Sequence, residues 1–228
     1  MLGVTARAYC YQAEVIDISG TKYFPAVREA LSKAKKSINL VMFIIELSPY
    51  KEDSKANQLI DGLIEAKQRG VDVEVILDQN VDFVQRRHTS EWETRFKSTV
   101  AYKRLKAAGV RVYYDEATRY AHAKTLVIDN KIVILGSTNW TASAFDNNIE
   151  TDALINSKEL AQEILSYLKT IKIDYEAEKH FESIGPATPI SWEFLENPRI
   201  AAFMVKEQAE RAFDVYLYLL WKYSEKQG

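Results

Sequence analysis

The chain has 228 residues, of which 47% are hydrophobic and 27% charged; that balance supports one packed domain with an appendage and excludes a disordered chain. A formal net charge of −2 excludes a protein that coats nucleic acid through its overall charge, while leaving room for a local basic groove. The single cysteine, Cys10, excludes an intramolecular disulfide and a cysteine-rich zinc site.

Met1 to Ile18 carries Arg7, Glu14 and Asp17 without an uninterrupted apolar core, so no signal peptide is expected there. No apolar run reaches the roughly 18 residues of a bilayer span. The expectation is a soluble, cytoplasmic protein. Phe24, Val27, Leu31 and Ala34 recur at helical spacing. Ile38 to Ile45 is apolar apart from Asn39, which predicts a strand buried on both faces. Leu59, Ile60, Leu63 and Ile64 make the next helical stripe, closed by Gly70 in the manner of a residue just past a helix end. Val71 to Leu77 reads as a second buried strand ending at Asp78. Tyr102 to Ala108 reads as a helix ended by Gly109, and Val110 to Tyr114 as a third strand. This alternation predicts an α/β domain with a mixed, largely parallel central sheet flanked by helices.

The rhythm then changes. Thr125 to Ile128 and Ile132 to Leu135 are short apolar strands around Asp129-Asn130-Lys131, a tight hairpin. Thr151 to Ile155 adds a strand, and Leu160, Ile164, Leu165, Leu168 and Ile171 a helix. Gly185-Pro186 and Pro189 mark a linker, and Pro198 opens a last helix through about Tyr223. The expected division is a catalytic domain over residues 1–173 and a helical C-terminal extension over 174–228.

The hairpin region holds the chemistry. His122, Lys124, Asp129, Gly136, Ser137 and Asn139 stand in the spacing H-x-K-x4-D-x6-G-S-x-N, which occurs once; His88 and His180 have no lysine two residues on. Displacing an alcohol from a phosphodiester needs a nucleophile, an acid for the leaving oxygen, and positive or hydrogen-bonding groups around the phosphoryl oxygens. A neutral imidazole is nucleophilic near pH 7. On an extended segment His122 and Lys124 project to the same side, and Ser137 and Asn139 repeat that arrangement. Gly136 removes a side chain where backbone would approach a ligand. Glu150 is placed to bond the distal imidazole nitrogen and set its tautomer. Asp129, beside the hairpin, is expected to fix the turn or orient a neighbour. Taken alone, a His beside a Lys is a surface pair and Gly-Ser-x-Asn a turn; the six-position spacing carries the reading.

At these residues the chain resembles the phospholipase D superfamily, with every fixed position filled and the later N-x-E element present as Asn148-Ile149-Glu150. The strand–helix pattern from about residue 15 to 173 also resembles the single-motif bacterial endonucleases of that superfamily. The resemblance implies a phospholipase D-like fold and a homodimer in which two His-Lys pairs meet across a two-fold axis. One His122 would attack phosphorus and form a phosphohistidine; the other would protonate the leaving oxygen and then activate water. His122, Lys124, Asp129, Ser137, Asn139 and Glu150 form the implied catalytic set, with no metal and no cofactor.

The substrate is less legible. Between Val84 and Lys106 stand Arg86, Arg87, Arg95, Lys97, Lys103, Arg104 and Lys106 against Glu91 and Glu93, interleaved with Trp92, Phe96 and Tyr102. Basic groups neutralise backbone phosphates and aromatics stack on unpaired bases, so Arg86, Arg87 and Lys103 join Gly136 and Asn148 as candidate substrate contacts. The alternative is a solvated helix whose aromatics face the core. Nucleic acid is the first substrate reading, phospholipid the second, and a phosphate-binding module without turnover the third. Residues 174–228 hold six Lys/Arg and ten Asp/Glu. That acidity disfavours membrane contact through the last helix and favours packing, dimer contact or a protein partner.

Overall fold

The computed structural model describes residues 10–48, 51–79, 98–177 and 179. The first compact unit of the chain runs from Met1 to Glu178; the second, Lys179–Gly228, lies almost wholly outside the described residues. So do Arg86, Arg87, Trp92 and Phe96, the predicted linker and the predicted last helix.

Eight strands form one sheet among the described residues. They are β1 (Glu14–Asp17), β2 (Ser37–Met42), β3 (Asp72–Leu77), β4 (Arg111–Asp115), β5 (Lys124–Ile128), β6 (Ile132–Gly136), β7 (Asp152–Asn156) and β8 (Ile173–Asp174), in the order β1-β7-β6-β5-β2-β3-β4-β8. The helices are α1 (Tyr23–Lys33), α2 (Lys55–Gln68), α3 (Thr99–Ala107), α4 (Ala142–Asp146) and α5 (Lys158–Leu168). Their ends follow the capping chemistry. Ser54 accepts from the Asn57 amide and Ser157 from the Leu160 amide, each satisfying an otherwise orphaned donor. Gly70, at φ 89°, stops α2 in the left-handed conformation that glycine adopts without strain.

The mixed α/β class stands, but the expectation of a largely parallel sheet is corrected. Only β2–β3 and β3–β4 are parallel; the other five pairings are antiparallel. A parallel pair needs a crossover long enough for a helix; α2 joins β2 to β3 and α3 joins β3 to β4 in this way. The β5–β6 hairpin and the return of β5 alongside β2 make the rest of the sheet antiparallel.

Alternation along the strands divides the core into two layers. Val41, Ile76, Val127 and Val133 form one face with Ala161 and Leu168 of α5. Their strand neighbours Leu40, Met42, Val75 and Leu77, all buried, point the other way, where α2 and α3 pack on β3 and β4. The predicted strand Ile38 to Ile45 ends early, at Met42, because the chain turns there to other partners: Phe43 donates its amide to Ala123, and Ile45 bridges Trp140. The strand β8 crosses the expected boundary at residue 173 and pairs with β4. Among the described residues no helix is long and apolar enough to cross a membrane.

Candidate active site

Six strands end or begin at one edge of the sheet. The parallel strands β2, β3 and β4 finish there. β5 is antiparallel to β2 with Lys124 opposite Met42, so it starts at that edge; β6 finishes there and β7 starts there, with Gly136 opposite Asp152. His122, Lys124, Ser137, Asn139 and Glu150 are thereby gathered from three successive strands, at the carboxyl ends of the parallel ones where open α/β sheets place ligands.

His122 is exposed, while Lys124 is buried, at 8% exposure. The Lys124 Nζ stands 3.4 Å and 3.3 Å from the two ring nitrogens of His122 and donates to the His122 carbonyl at 2.8 Å. Phe43 supports both groups. Its ring centroid is 4.4 Å from that of His122 and 4.7 Å from Lys124 Nζ, the second a cation–π contact. Burial, then the Lys124 charge, holds the imidazole below its ordinary value, against the pull of Asp78. Burial likewise lowers Lys124, opposed by Glu150 and Asp78. A neutral ring beside a fixed cation is the arrangement that attack on an anionic phosphoryl group requires.

The hydroxyl and amide side of the site differs from expectation. Glu150 does not engage the imidazole. Its carboxylate accepts from Ser137 Oγ and, at 3.0 Å, from Asn148 Nδ2, and Ser137 Oγ accepts the Thr151 amide at 3.0 Å. Glu150 therefore orients Ser137, and Asn148 braces Glu150. Asn139 Oδ1 is buried without a hydrogen-bond partner. Gly136 has a steric role of its own. A Cβ there would overlap the Asp152 carboxylate and the Thr151 carbonyl, so the glycine admits the buried Asp152. Asp152 accepts from the Thr138 amide at 3.2 Å and its hydroxyl at 2.6 Å, pinning the loop between Ser137 and Asn139. Trp140, fully buried, donates from Nε1 to Tyr23 Oη at 3.1 Å and anchors the far end of that loop.

Asp129 stands apart from the His122 cluster, and the turn its carboxylate holds is the one between α1 and β2 rather than its own hairpin. It sits at the opposite end of β5 from His122, in a hairpin with φ of 54° at Asp129 and 55° at Asn130, the signature of a type I′ turn. Its carboxylate accepts the amides of Lys35 (3.1 and 3.0 Å), Lys36 (2.7 Å) and Ser37 (3.1 Å). Burial opposes the charge, but these amides outweigh it and the carboxyl lies below its ordinary value. Its contribution to stability is therefore present above about pH 4 and is lost as pH falls through the depressed value. Asp129→Ala is expected to lower unfolding stability by about 2–3 kcal/mol through unsatisfied amides and a strained φ. Turnover per folded molecule is expected to stay within about twofold of wild type. Urea melts and active-site-normalised rates check both.

Lys103 is exposed on α3, whose N-cap residue Ser98 accepts the Ile45 amide at 3.1 Å. Its neighbour Arg104 is committed to Asp61. Sequence reasoning missed two buried carboxylates behind His122, Asp78 and Asp115, and missed Phe43. Only the end of a predicted strand at Asp78 signalled the first. Among the described residues no cluster of three or more His, Cys, Asp or Glu is placed to hold a metal ion.

Residues 27–172 match the family model described as cardiolipin synthase, PLD-like domain. Among curated proteins, mitochondrial cardiolipin hydrolase from Mus musculus is 29% identical over 151 residues, covering 66% of this chain and 58% of that protein. Phospholipase D from Rickettsia felis is 35% identical over 103 residues, covering 45% of each. The matched stretch thus spans about half the length of these relatives. Among solved structures, the phospholipase D family member Nuc from Salmonella typhimurium superposes with a TM-score of 0.54 at 24% identity, covering 72% of this chain and 99% of that one. Phosphatidylserine synthase from Haemophilus influenzae superposes with a TM-score of 0.57 at 14% identity, covering 83% and 46%. Both show that the fold is shared.

Proposed function

This chain belongs to the phospholipase D-like domain family, and we propose that it is a phosphodiesterase: an endonuclease hydrolysing DNA, RNA or both through a phosphohistidine, at a site shared by two subunits. The observation that carries the reading is the buried Lys124 ammonium held within 3.4 Å of both His122 ring nitrogens beside Ser137 and Asn139. A cation, a nucleophile and polar groups converge where a phosphate would lie.

In the reaction, a neutral ring nitrogen of His122 forms a bond to phosphorus while the bond from phosphorus to the leaving oxygen breaks. That oxygen takes its proton from the imidazolium of His122 of the partner subunit. The ring left neutral then accepts a proton from water, whose oxygen attacks phosphorus and breaks the nitrogen–phosphorus bond. Lys124 from each subunit balances the phosphoryl charge, so the step needs no metal. Two further features support sharing. Of the three histidines only His122 stands in the His-x-Lys motif, where the reaction uses two imidazoles. Tyr120 and Ile149, sequence neighbours of His122 and Glu150, are 57% and 99% exposed, apolar surface suited to cover by a second copy.

Nucleic acid stands first because His122 opens onto an exposed edge that admits a phosphate within a chain, and because the stretch from Val84 to Lys106 is rich in Lys and Arg. Phospholipid is the second reading, favoured by the names of the curated relatives. The test is a panel of single- and double-stranded DNA, RNA, and vesicles of phosphatidylcholine and of cardiolipin, each with and without EDTA. Nucleic-acid cleavage that survives EDTA is expected; turnover of lipid alone overturns the substrate reading, and no turnover of any member overturns the enzyme. Two imidazoles in different protonation states predict a bell-shaped rate–pH profile. Because His122 is held below its ordinary value, the acid limb is expected below about pH 6.5. A profile flat from pH 5 to 8 with chemistry rate-limiting counts against the shared site.

A further inference from the structure

Asp78 follows β3 directly and Asp115 closes β4, the strand beside it, so the two carboxylates meet behind the segment that carries His122. They are 0% and 3% exposed. Asp78 Oδ2 accepts the Ala121 amide at 2.7 Å, and Asp115 Oδ2 accepts the same amide at 2.9 Å. Asp115 Oδ1 also accepts the Gln79 amide at 2.9 Å. The Gln79 side chain donates to the Asp115 carbonyl and, at 3.3 Å, to Asp174 Oδ2.

Two carboxylate oxygens on one amide hydrogen lie close together, and both are out of water. Two full negative charges in that space repel, and such a pair keeps a proton between its members. Burial, then the Asp78 charge, pushes the Asp115 carboxyl up to about 7, against the Gln79 and Ala121 amides. The stability tied to the protonated form is therefore fully present below about pH 4 and is lost as pH rises through 7.

Ala121 directly precedes His122, and its side chain, like that of Ala123, packs on the α5-side core. Holding the Ala121 amide fixes the backbone from which the imidazole projects. The Asp78 charge also acts on the ring and on Lys124, favouring the charged form of each. We propose that Asp78 and Asp115 act as one positioning unit, a carboxylate pair sharing a single proton that grips the Ala121 amide and sets the place and charge of His122. The proposal rests on the reading of His122 as the group that attacks phosphorus. Charged groups near the pair among the described residues include Asp174, the Glu116–Lys172 ion pair at 3.4 Å, His122 and Lys124. With one proton retained, the pair presents a single negative charge that partly offsets Lys124 at the ring. Loss of that proton doubles the charge, loosens the shared grip and draws His122 toward imidazolium.

The test uses the full chain and the variants Asp78→Asn and Asp115→Asn. The ring protons of His122, assigned with His122→Ala, are titrated by NMR without ligand. Asp78→Asn is expected to lower the His122 titration midpoint by roughly half a pH unit, the effect of removing one nearby, partly screened charge. Wild type is expected to show a second inflection near pH 7 that Asp115→Asn lacks, and the fall in wild-type melting temperature from pH 5 to 8 is expected to flatten in the same variant. Each variant is expected to lose about tenfold in kcat with KM within about twofold. Titration curves of the folded variants that superimpose on wild type overturn the proposal, as do unchanged kcat values. Should Asp78→Asn not fold, Asp115→Asn decides alone. Absence of turnover by wild type would remove the phosphodiesterase reading, while the titrations still decide for or against the pair.

Discussion

His122→Ala is expected to lower kcat by about 10⁴-fold or more while leaving the thermal melt within a few degrees of wild type. The imidazole is exposed and, among the described residues, meets Phe43 and the Lys124 ammonium, so its removal opens no core cavity there. What disappears is the atom that bonds phosphorus, together with the acid for the leaving oxygen if both rings serve one site. A near-normal rate in the variant would remove the assignment. The same variant tests sharing. Mixed with an equal amount of wild type and allowed to exchange subunits, it is expected to leave about a quarter of the sites intact when each site draws on two chains, against about half when each chain works alone. Rate against mixing ratio separates a quadratic from a linear loss.

Gly136→Ala is expected to be the most damaging single-methyl change in the domain, costing about 3–5 kcal/mol and leaving little folded protein. The added Cβ would sit 2.6 Å from Asp152 Cγ and still closer to the Asp152 carboxylate oxygen and the Thr151 carbonyl. A flexible neighbour could swing aside. Here one obstacle is backbone and the other is a buried carboxylate already bound to the Thr138 amide and hydroxyl. Displacing Asp152 would also release the loop carrying Ser137 and Asn139. The urea midpoint measures the effect, and a midpoint within error of wild type would show that the two strands part more easily than this packing implies.

The reach of the sequence followed the range of each signal. Six motif residues at fixed spacing announced the site because they lie within 18 positions on two adjacent strands, where alternation alone decides which side chains share a face. Gly70 announced the end of α2 because a left-handed stop is local chemistry. The direction of the sheet was not local. That β5 lies against β2 depends on an antiparallel return from residue 128 to residue 38, and no periodicity records it. The first strand, Glu14–Asp17, is exposed at every residue and leaves no burial pattern to read. Asp129 was grouped with the catalytic set and Gly136 with the ligand because spacing records that residues recur together, not which neighbour requires them. One serves the turn between α1 and β2, the other the passage of Asp152. Asp78, Asp115 and Ala121 are scattered over 44 positions of sequence, and only the adjacency of β3 and β4 brings them to one hydrogen.

The pairing of β2 with β5 also governs when activity can arise during synthesis. A chain emerging from the ribosome displays β2 with one side unpaired until residues 124–128 follow, some 80 residues later. Contacts so distant along a polymer form slowly relative to local helices. His122 and Lys124 arrive on the very strand that closes this gap, and Ser137 and Glu150 come after it. The reactive assembly is therefore among the last parts of the domain to be completed, and a nascent or prematurely terminated fragment carries no working centre into the cell.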